Sequence, residues 1–293
     1  MGIYVLTPSP VRPAHAQRDQ RLRPSLALLL PDIPKHLLPG GFDCIGDIAL
    51  LTLPKVIRPQ AGRIGKAILK LHAHLHVVAL RQGNYSGAQR LIDMQVVAGE
   101  NRLTTLHREN GVALSLDLGR TYFSTRLAGE RLRLAQLVQR GEKVCVLCSG
   151  TGPYPLVIAQ HSQASEIHGV EINPAAHACA VHNRQINGFE RAVHLHLGEA
   201  APVLAGLKLL FDRVVVMLPW HADSLFTSAL SCLRAGGTLH CYAMETSGQP
   251  SSTLYKLDIL CKKERRDIHS VKSVRCGHCG PKVYRTCHDV VIS

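Results

Sequence analysis

The sequence predicts an α/β protein in which a small α+β unit precedes a doubly wound, parallel-rich sheet, and three observations lead there. From about residue 142 to residue 244, runs rich in β-branched residues alternate with stretches of helical spacing, the pattern of strands joined by crossover helices. The first of those strands runs into a glycine-rich turn, "CSGTGPY", and Glu171 closes the second strand about 20 residues further on. Before residue 120 the pattern differs: Asn110-Gly111 sits between two alternating runs, the signature of a β-hairpin.

The elements follow in order. Residues 1–41 are rich in Pro and Arg and lack periodicity, which reads as a basic, partly disordered arm. "FDCIGDIALLTLP", residues 42–54, reads as a strand bounded by Gly-Gly and Pro, "IGKAILKLHAHL" (64–75) as a helix and "HVVAL" (76–80) as a strand. "LTTLHRENGVALSLDL" (103–118) is the hairpin, so a small unit spans 42–119. In the remainder, 120–293, the strands are "EKVCVLC", "EIHGVEINP", "AVHLHLGEA", "VVVMLPW" and "GGTLHCYAM", with helical spacing over 175–187 and 221–233. Ligands of such sheets lie outside the carboxyl ends of the strands, where the Gly-rich turn, Glu171, Glu199 and "MLPW" fall.

The chain of 293 residues is long enough for about two domains. It carries 34 Lys+Arg against 21 Asp+Glu, a formal net charge of +13, which favours an anionic partner such as nucleic acid. No apolar run approaches the ~18 residues of a membrane span, and the start lacks signal-peptide order. The expectation is therefore an intracellular, cytoplasmic protein with no membrane partner and no evident obligate protein partner. Ten cysteines in this length are too sparse for a disulfide scaffold and read as reduced.

Three constellations carry chemistry. Gly150 and Gly152 let backbone approach a ligand, and Glu171 suits ribose hydroxyls; Pro155 replaces the third glycine of the dinucleotide fingerprint, which favours an adenosine ligand without a pyrophosphate. That description fits S-adenosylmethionine, with Glu199 a second adenosine contact or a solvated loop acid. In the helical stretch 124–138, Leu127, Leu134 and Val138 centre an apolar face that Glu130 and Arg131 flank. Such a carboxylate is either ion-paired with Arg131 or another arginine, or a general base; Arg126, Arg133 and Arg140 lie opposite as a solvated stripe. Finally, Cys276, Cys279, Cys287 and His288 offer four zinc-type ligands, but the second pair lacks zinc-finger spacing, so no metal is expected and a reduced hairpin is the better reading.

"FDCIGDIALLTLP", "GKAILK", "HRENG", "YFSTRLAGER", "GTGPY", "EINP", "MLPW" and "GGTLHCYAM" together resemble the archaeal and eukaryotic type of tRNA (guanine-N1)-methyltransferase that modifies guanosine 37, "YFSTRLAGER" most specifically. The resemblance implies a Rossmann-like class I methyltransferase domain over 120–293 behind a tRNA-contacting domain over 42–119, with tRNA as partner and S-adenosylmethionine as cofactor. It implies Glu130 as general base, Arg90 of "SGAQR" at the target guanine and Tyr122 near the methyl donor. The cofactor set it implies is Tyr122, Arg131, Cys148, Gly150, Gly152, Glu171, Asn173, Glu199, Met217 and Pro219.

The chain departs from the family where it has Val146 in place of an acidic residue and Met217 in place of an asparagine. Residues 1–41 look too short for the extra N-terminal domain that grips the tRNA elbow. Two other readings follow. One is a wybutosine-pathway transferase that moves an aminocarboxypropyl group from the same cofactor, against which Arg126 and Glu130 count. The other is a non-catalytic RNA-binding relative with a decayed site.

Overall fold

The computed structural model describes residues 22–86, 91–217 and 223–293; of 84–86 and 223 only the backbone is described. The chain divides into two compact units, whose described parts are residues 22–128 and 129–293. Among the described residues no helix is long and apolar enough to cross a membrane.

The first unit opens with helix α1, Leu22–Leu29, followed by a 3-10 turn at Lys35–Leu37. Leu22, Leu26 and Leu30 stack on one face by their spacing of four and are buried with Leu38, Ile64, Ile68 and Val78. The reading of residues 1–41 as a disordered arm is therefore corrected for 22–41: the leucine spacing is a helical stripe that the Pro-Arg composition masked. Residues 42–54 hold two strands rather than one, β1 Asp43–Ile45 and β2 Ile48–Leu51, because Gly46 adopts φ 56° and reverses the chain. Helix α2, Ala61–Leu71, buries Ile64, Ala67 and Ile68 and turns its lysines outward. Strand β3, Val77–Ser86, lies parallel to β2, and β4, Leu91–Gly99, antiparallel to β3, giving the order β1-β2-β3-β4. Strands β5, Thr104–Glu109, and β6, Val112–Asp117, form the expected hairpin, with Asn110 at φ 45° and Gly111 at φ 75° as its turn requires.

The second unit takes in helix α3, Ala128–Leu137, which a 3-10 turn at Thr125–Leu127 precedes. Strands β7 Lys143–Leu147, β8 Glu166–Glu171, β9 Val193–Leu197 and β10 Phe211–Val216 alternate with α4 Pro153–His161, α5 Pro174–Ile186 and α6 Ala200–Leu207. Then come α7 Asp223–Cys232, β11 Leu233–Thr246, α8 Ser252–Lys263 and the hairpin of β12 Ile268–Gly280 with β13 Val283–Ile292. The seven strands order as β12-β13-β11-β10-β7-β8-β9, parallel from β11 to β9, with β13 antiparallel to both its neighbours.

Strand alternation gives this sheet two unlike faces. Cys145, Leu147, Val214, Val216, Leu239, Cys241, Val290 and Ile292 join Leu204 of α6, Phe226 and Leu230 of α7, and Leu257 of α8 in one apolar core. The alternate residues include Arg213, His240 and Tyr242, which are buried, and Asp289, which is partly buried.

Candidate active site

The parallel strands β7, β8, β9 and β10 end on one edge of the sheet, and their loops carry most of the predicted cofactor residues. After Leu147 the backbone bends sharply: Cys148 has φ 57°, Gly150 φ 60° and Gly152 φ 86°. Gly152 then caps α4, whose first residue is Pro153, preorganised for that position. A Cβ on Gly152 would come within 3.3 Å of Ala180 on α5, whereas one on Gly150 would meet nothing within 4 Å. One glycine is there for packing and backbone; the other faces open space.

Glu171 ties this loop to the next. Its Oε2 accepts from Gly150 N–H at 2.7 Å and its Oε1 from Asn173 N–H at 2.8 Å. Two backbone donors fix the carboxylate's orientation, and each oxygen keeps a further lone pair for ribose hydroxyls. Gly198 N–H, beyond β9, donates to the carbonyl of Glu171 at 2.9 Å. Asn173 caps α5, its side chain accepting from Ala175 N–H at 3.0 Å, so a structural role accounts for it at least in part. Glu199 is exposed at the N-cap position of α6, with no side-chain cap bond. In the same loop as the glycines, the hydroxyls of Ser149 and Thr151 are buried with no hydrogen-bond partner. An open glycine backbone beside an oriented carboxylate is a donor set that fits an adenosine moiety.

Glu130, in the first turn of α3, has a side chain only 3% exposed. Its partner is Arg133, one turn on: Nε donates to Oε2 at 2.7 Å and Nη2 to Oε1 at 2.8 Å. Tyr242 O–H donates to Oε1 at 2.8 Å, and Tyr154 O–H to Tyr242 at 3.2 Å. Burial pushes both phenols well above their usual range. Arg133 also reaches Asp289 at 2.7 Å, so the expectation that it belongs to a solvated stripe is corrected; its side chain is only 15% exposed. The helical wheel placed its Cα correctly, but a long guanidinium stem lands far from its Cα direction. Arg126 is well exposed and donates to Asp43 at 3.0 Å, and Arg140 is exposed.

Residues 105–269 match the model of the TRM5/TYW2 methyltransferase domain, more than half of the chain. The chain belongs to the TRM5/TYW2 methyltransferase family. Residues 22–102 match a TYW2 N-terminal domain. A relative from Pyrococcus abyssi, named tRNA (guanine(37)-N(1))-methyltransferase Trm5b, is 33% identical over 231 residues, 78% of this chain and 68% of its own. The crystal structure of Trm5b from Pyrococcus abyssi superposes with TM-score 0.79 at 28% identity, covering 99% of this chain and 82% of that one. Trm5 in complex with tRNALeu gives TM-score 0.78 at 25% identity, covering 93% and 78%. Methanocaldococcus jannaschii Trm5 in complex with adenosine gives 0.73 at 25%, covering 92% and 77%.

The two positions at which the sequence departs from the expected motifs sit differently. Val146 is fully buried in β7 between Val215 and Gly169, whereas Met217 is half-buried at the mouth of β10, its N–H 3.4 Å from Leu147 O. Arg131 is 2% exposed, with its guanidinium 5.8 Å from the Tyr154 ring centroid. The bidentate fork on Glu130 therefore comes from Arg133, not from Arg131, the partner the sequence offered first. Tyr122 is half-buried and belongs to the first unit. Arg90 and Pro219 lie outside the described residues.

The four zinc-type residues are not gathered. Cys279 is exposed, Cys276 donates to Arg285 O at 3.4 Å, Cys287 to Asp289 at 3.4 Å, and His288 contacts Glu245 at 2.9 Å and Ser273 at 2.8 Å. Their segment is not a loop hairpin but the long β12–β13 ladder, in which the C-x-x-C lies on the outer strand. No disulfide forms among the described residues, which include all ten cysteines. Sequence reasoning missed Tyr242, His240, Arg213 and Asp289. The signal was present: each is a polar residue inside an apolar strand, "DRVVV", "LHCYA" and "CHDVV".

Proposed function

We propose that this protein is an S-adenosylmethionine-dependent tRNA methyltransferase that methylates N1 of guanosine 37, acting in the cytoplasm. The observation that carries the reading is the cradle of Gly150, Glu171 and Asn173 at the strand ends, in a chain 33% identical to a relative named for that reaction. When bound, S-adenosylmethionine would supply a methyl group from its sulfonium, whose sulfur departs as a neutral thioether when the methyl–sulfur bond breaks. Glu171 would hold the ribose hydroxyls, while the backbone of Cys148, Gly150 and Gly152 would line the adenosine. Asn173, Glu199, Met217, Pro219, Arg131 and Tyr122 complete the proposed binding set.

Guanine N1 carries a proton at neutral pH, so a base must take it as the methyl group arrives. Glu130 is proposed as that base, since its carboxylate is buried and held by three donors, with Oε2 the less encumbered oxygen. Arg90 is proposed to offset the charge that develops on O6. The test is methyl transfer to unmodified tRNA transcripts with guanosine or adenosine at position 37. The expected outcome is transfer to guanosine alone, with Glu130→Gln and Arg90→Ala each slowing it by about a hundredfold or more. An unchanged rate in Glu130→Gln would remove the base assignment.

A second reading, transfer of an aminocarboxypropyl group from the same donor, is favoured by the match of residues 22–102 to a TYW2 N-terminal domain. The mass of the modified nucleoside distinguishes the two products.

A further inference from the structure

Glu130 is the end of a buried chain of groups laid across the polar face of the second unit's sheet. Arg133 stands between two carboxylates, donating to Glu130 at 2.7 and 2.8 Å and to Asp289 at 2.7 and 3.1 Å. Behind Asp289 lies His240, its Nδ1 2.6 Å from Oδ1, and behind His240 lies Arg213, whose Nη1 is 2.6 Å from Nε2. An arginine can only donate, so Nε2 accepts and Nδ1 carries the hydrogen to Asp289. Glu142 holds Arg213 through two bonds at 2.8 and 3.0 Å.

At the near end of this chain one guanidinium is shared by two carboxylates, Glu130 and Asp289. A buried arginine given wholly to Glu130 would hold it in its charged form and oppose proton uptake; divided with Asp289, it orients Glu130 with a weaker hold. We infer that Asp289 is a positioning residue for methyl transfer: by drawing Arg133 between itself and Glu130, it fixes the Glu130 carboxylate while leaving it able to accept a proton. This rests on the proposed role of Glu130 as base.

The other groups around Glu130 do not confuse the pH response. They are the adjacent Arg131 on α3, Tyr154 from α4, Tyr242 from β11, Cys276 from β12 and Cys287 from β13. Burial pushes both phenols and both thiols up, so they stay neutral through the working range. Burial likewise holds His240 down against the pull of Asp289. Although burial opposes it, hydrogen bonds from His240 and Arg133 keep Asp289 below the usual carboxylate range, so it is charged wherever the enzyme works.

The experiment is single-turnover methyl transfer to a guanosine-37 tRNA transcript from pH 5 to 9, with the full chain and the variants Asp289→Asn, Asp289→Glu and Arg133→Lys. S-adenosylmethionine affinity is measured by calorimetry and folding by circular dichroism. Asp289→Asn is expected to slow transfer about tenfold or more at pH 7 and to move the acid limb of the profile to lower pH. Arg133→Lys, which loses the fork, is expected to move the limb to higher pH, and Asp289→Glu to restore most of the rate, with cofactor affinity within about twofold throughout. Limbs that stay at the wild-type position, or that move in the same direction in Asp289→Asn and Arg133→Lys, overturn the inference. If Asp289→Asn does not fold, Asp289→Ser, which likewise gives Arg133 wholly to Glu130, takes its place: a downward shift supports the inference and an unmoved limb overturns it. Glu130→Gln separates the two ideas, because an acid limb that persists in that variant rejects Glu130 as base, whereas its loss there with no shift in the others rejects only the positioning role of Asp289.

Discussion

A single side chain decides little by its type; what surrounds it decides the rest, as Gly152 and Met217 illustrate. Gly152 is held at φ 86° with Ala180 on α5 3.3 Å from where a Cβ would stand. Gly152→Ala is therefore expected to lower stability by about 1–2 kcal/mol through the left-handed backbone alone, and to weaken S-adenosylmethionine binding, read by thermal unfolding and calorimetry. Met217 is half-buried at the end of β10, where the resemblance leads to the expectation of an asparagine. Met217→Asn is expected to raise methyl transfer, one restored hydrogen bond being about 1 kcal/mol or about fivefold in rate. A lower rate would mean a pocket built around the thioether. The anomaly of Glu130 was legible in the sequence, since helical spacing set a carboxylate beside an apolar stripe. Its partner was not, because angular position around a helix does not say where a long arginine ends.

At the scale of elements, periodicity carries some strands and hides others. The five parallel strands and the Asn110-Gly111 hairpin were readable because each is a run of β-branched or alternating residues closed by a turn signal. The β12–β13 ladder was not, because β12 is an edge strand whose exposed residues interrupt any apolar run, and its cysteines invited a different reading. Yet β13 is structural: Val290 and Ile292 are fully buried in the core under α7 and α8. Ile292→Ala is expected to cost about 2–4 kcal/mol, seen as a lower urea midpoint with an unchanged slope, while cofactor affinity in native buffer is kept. Helix α1 escaped notice for the opposite reason, a real stripe of leucines lying within Pro-Arg composition.

For the whole molecule the determining quantity is charge and its titration. A formal +13 directed at a polyanion predicts that tRNA affinity falls on the order of tenfold or more between 50 and 200 mM salt, measured by filter binding. Acid weakens the fold through a histidine group on β8 and β9. His168 Nδ1 lies 3.1 Å from His196 Nε2 with the rings stacked 5.3 Å apart. Burial, then the charges of His168, His194 and His177, lower His196 to about 4 from 6.5. Between those values the unfolded chain takes up a proton that the folded chain refuses, so stability present above pH 6.5 is lost as pH falls towards 4. His196 is half-buried, which reduces the expected loss to about 1–2 kcal/mol, or a fall in Tm of roughly 3–6 °C between pH 7 and 4.5; His196→Gln should remove part of it. By itself the sequence determined the parallel sheet and the Gly-rich turn with Glu171 opposite, because these follow from local periodicity and turn chemistry; its net charge supplied only the expectation of an anionic partner. Only the tertiary structure decided that Arg133, Asp289, His240 and Arg213 form one buried chain ending on Glu130. Those residues lie up to 156 positions apart, and no local rule ties a helix's first turn to the last strand of the sheet; burial on a shared face does, because each buried charge must find a counter-charge there.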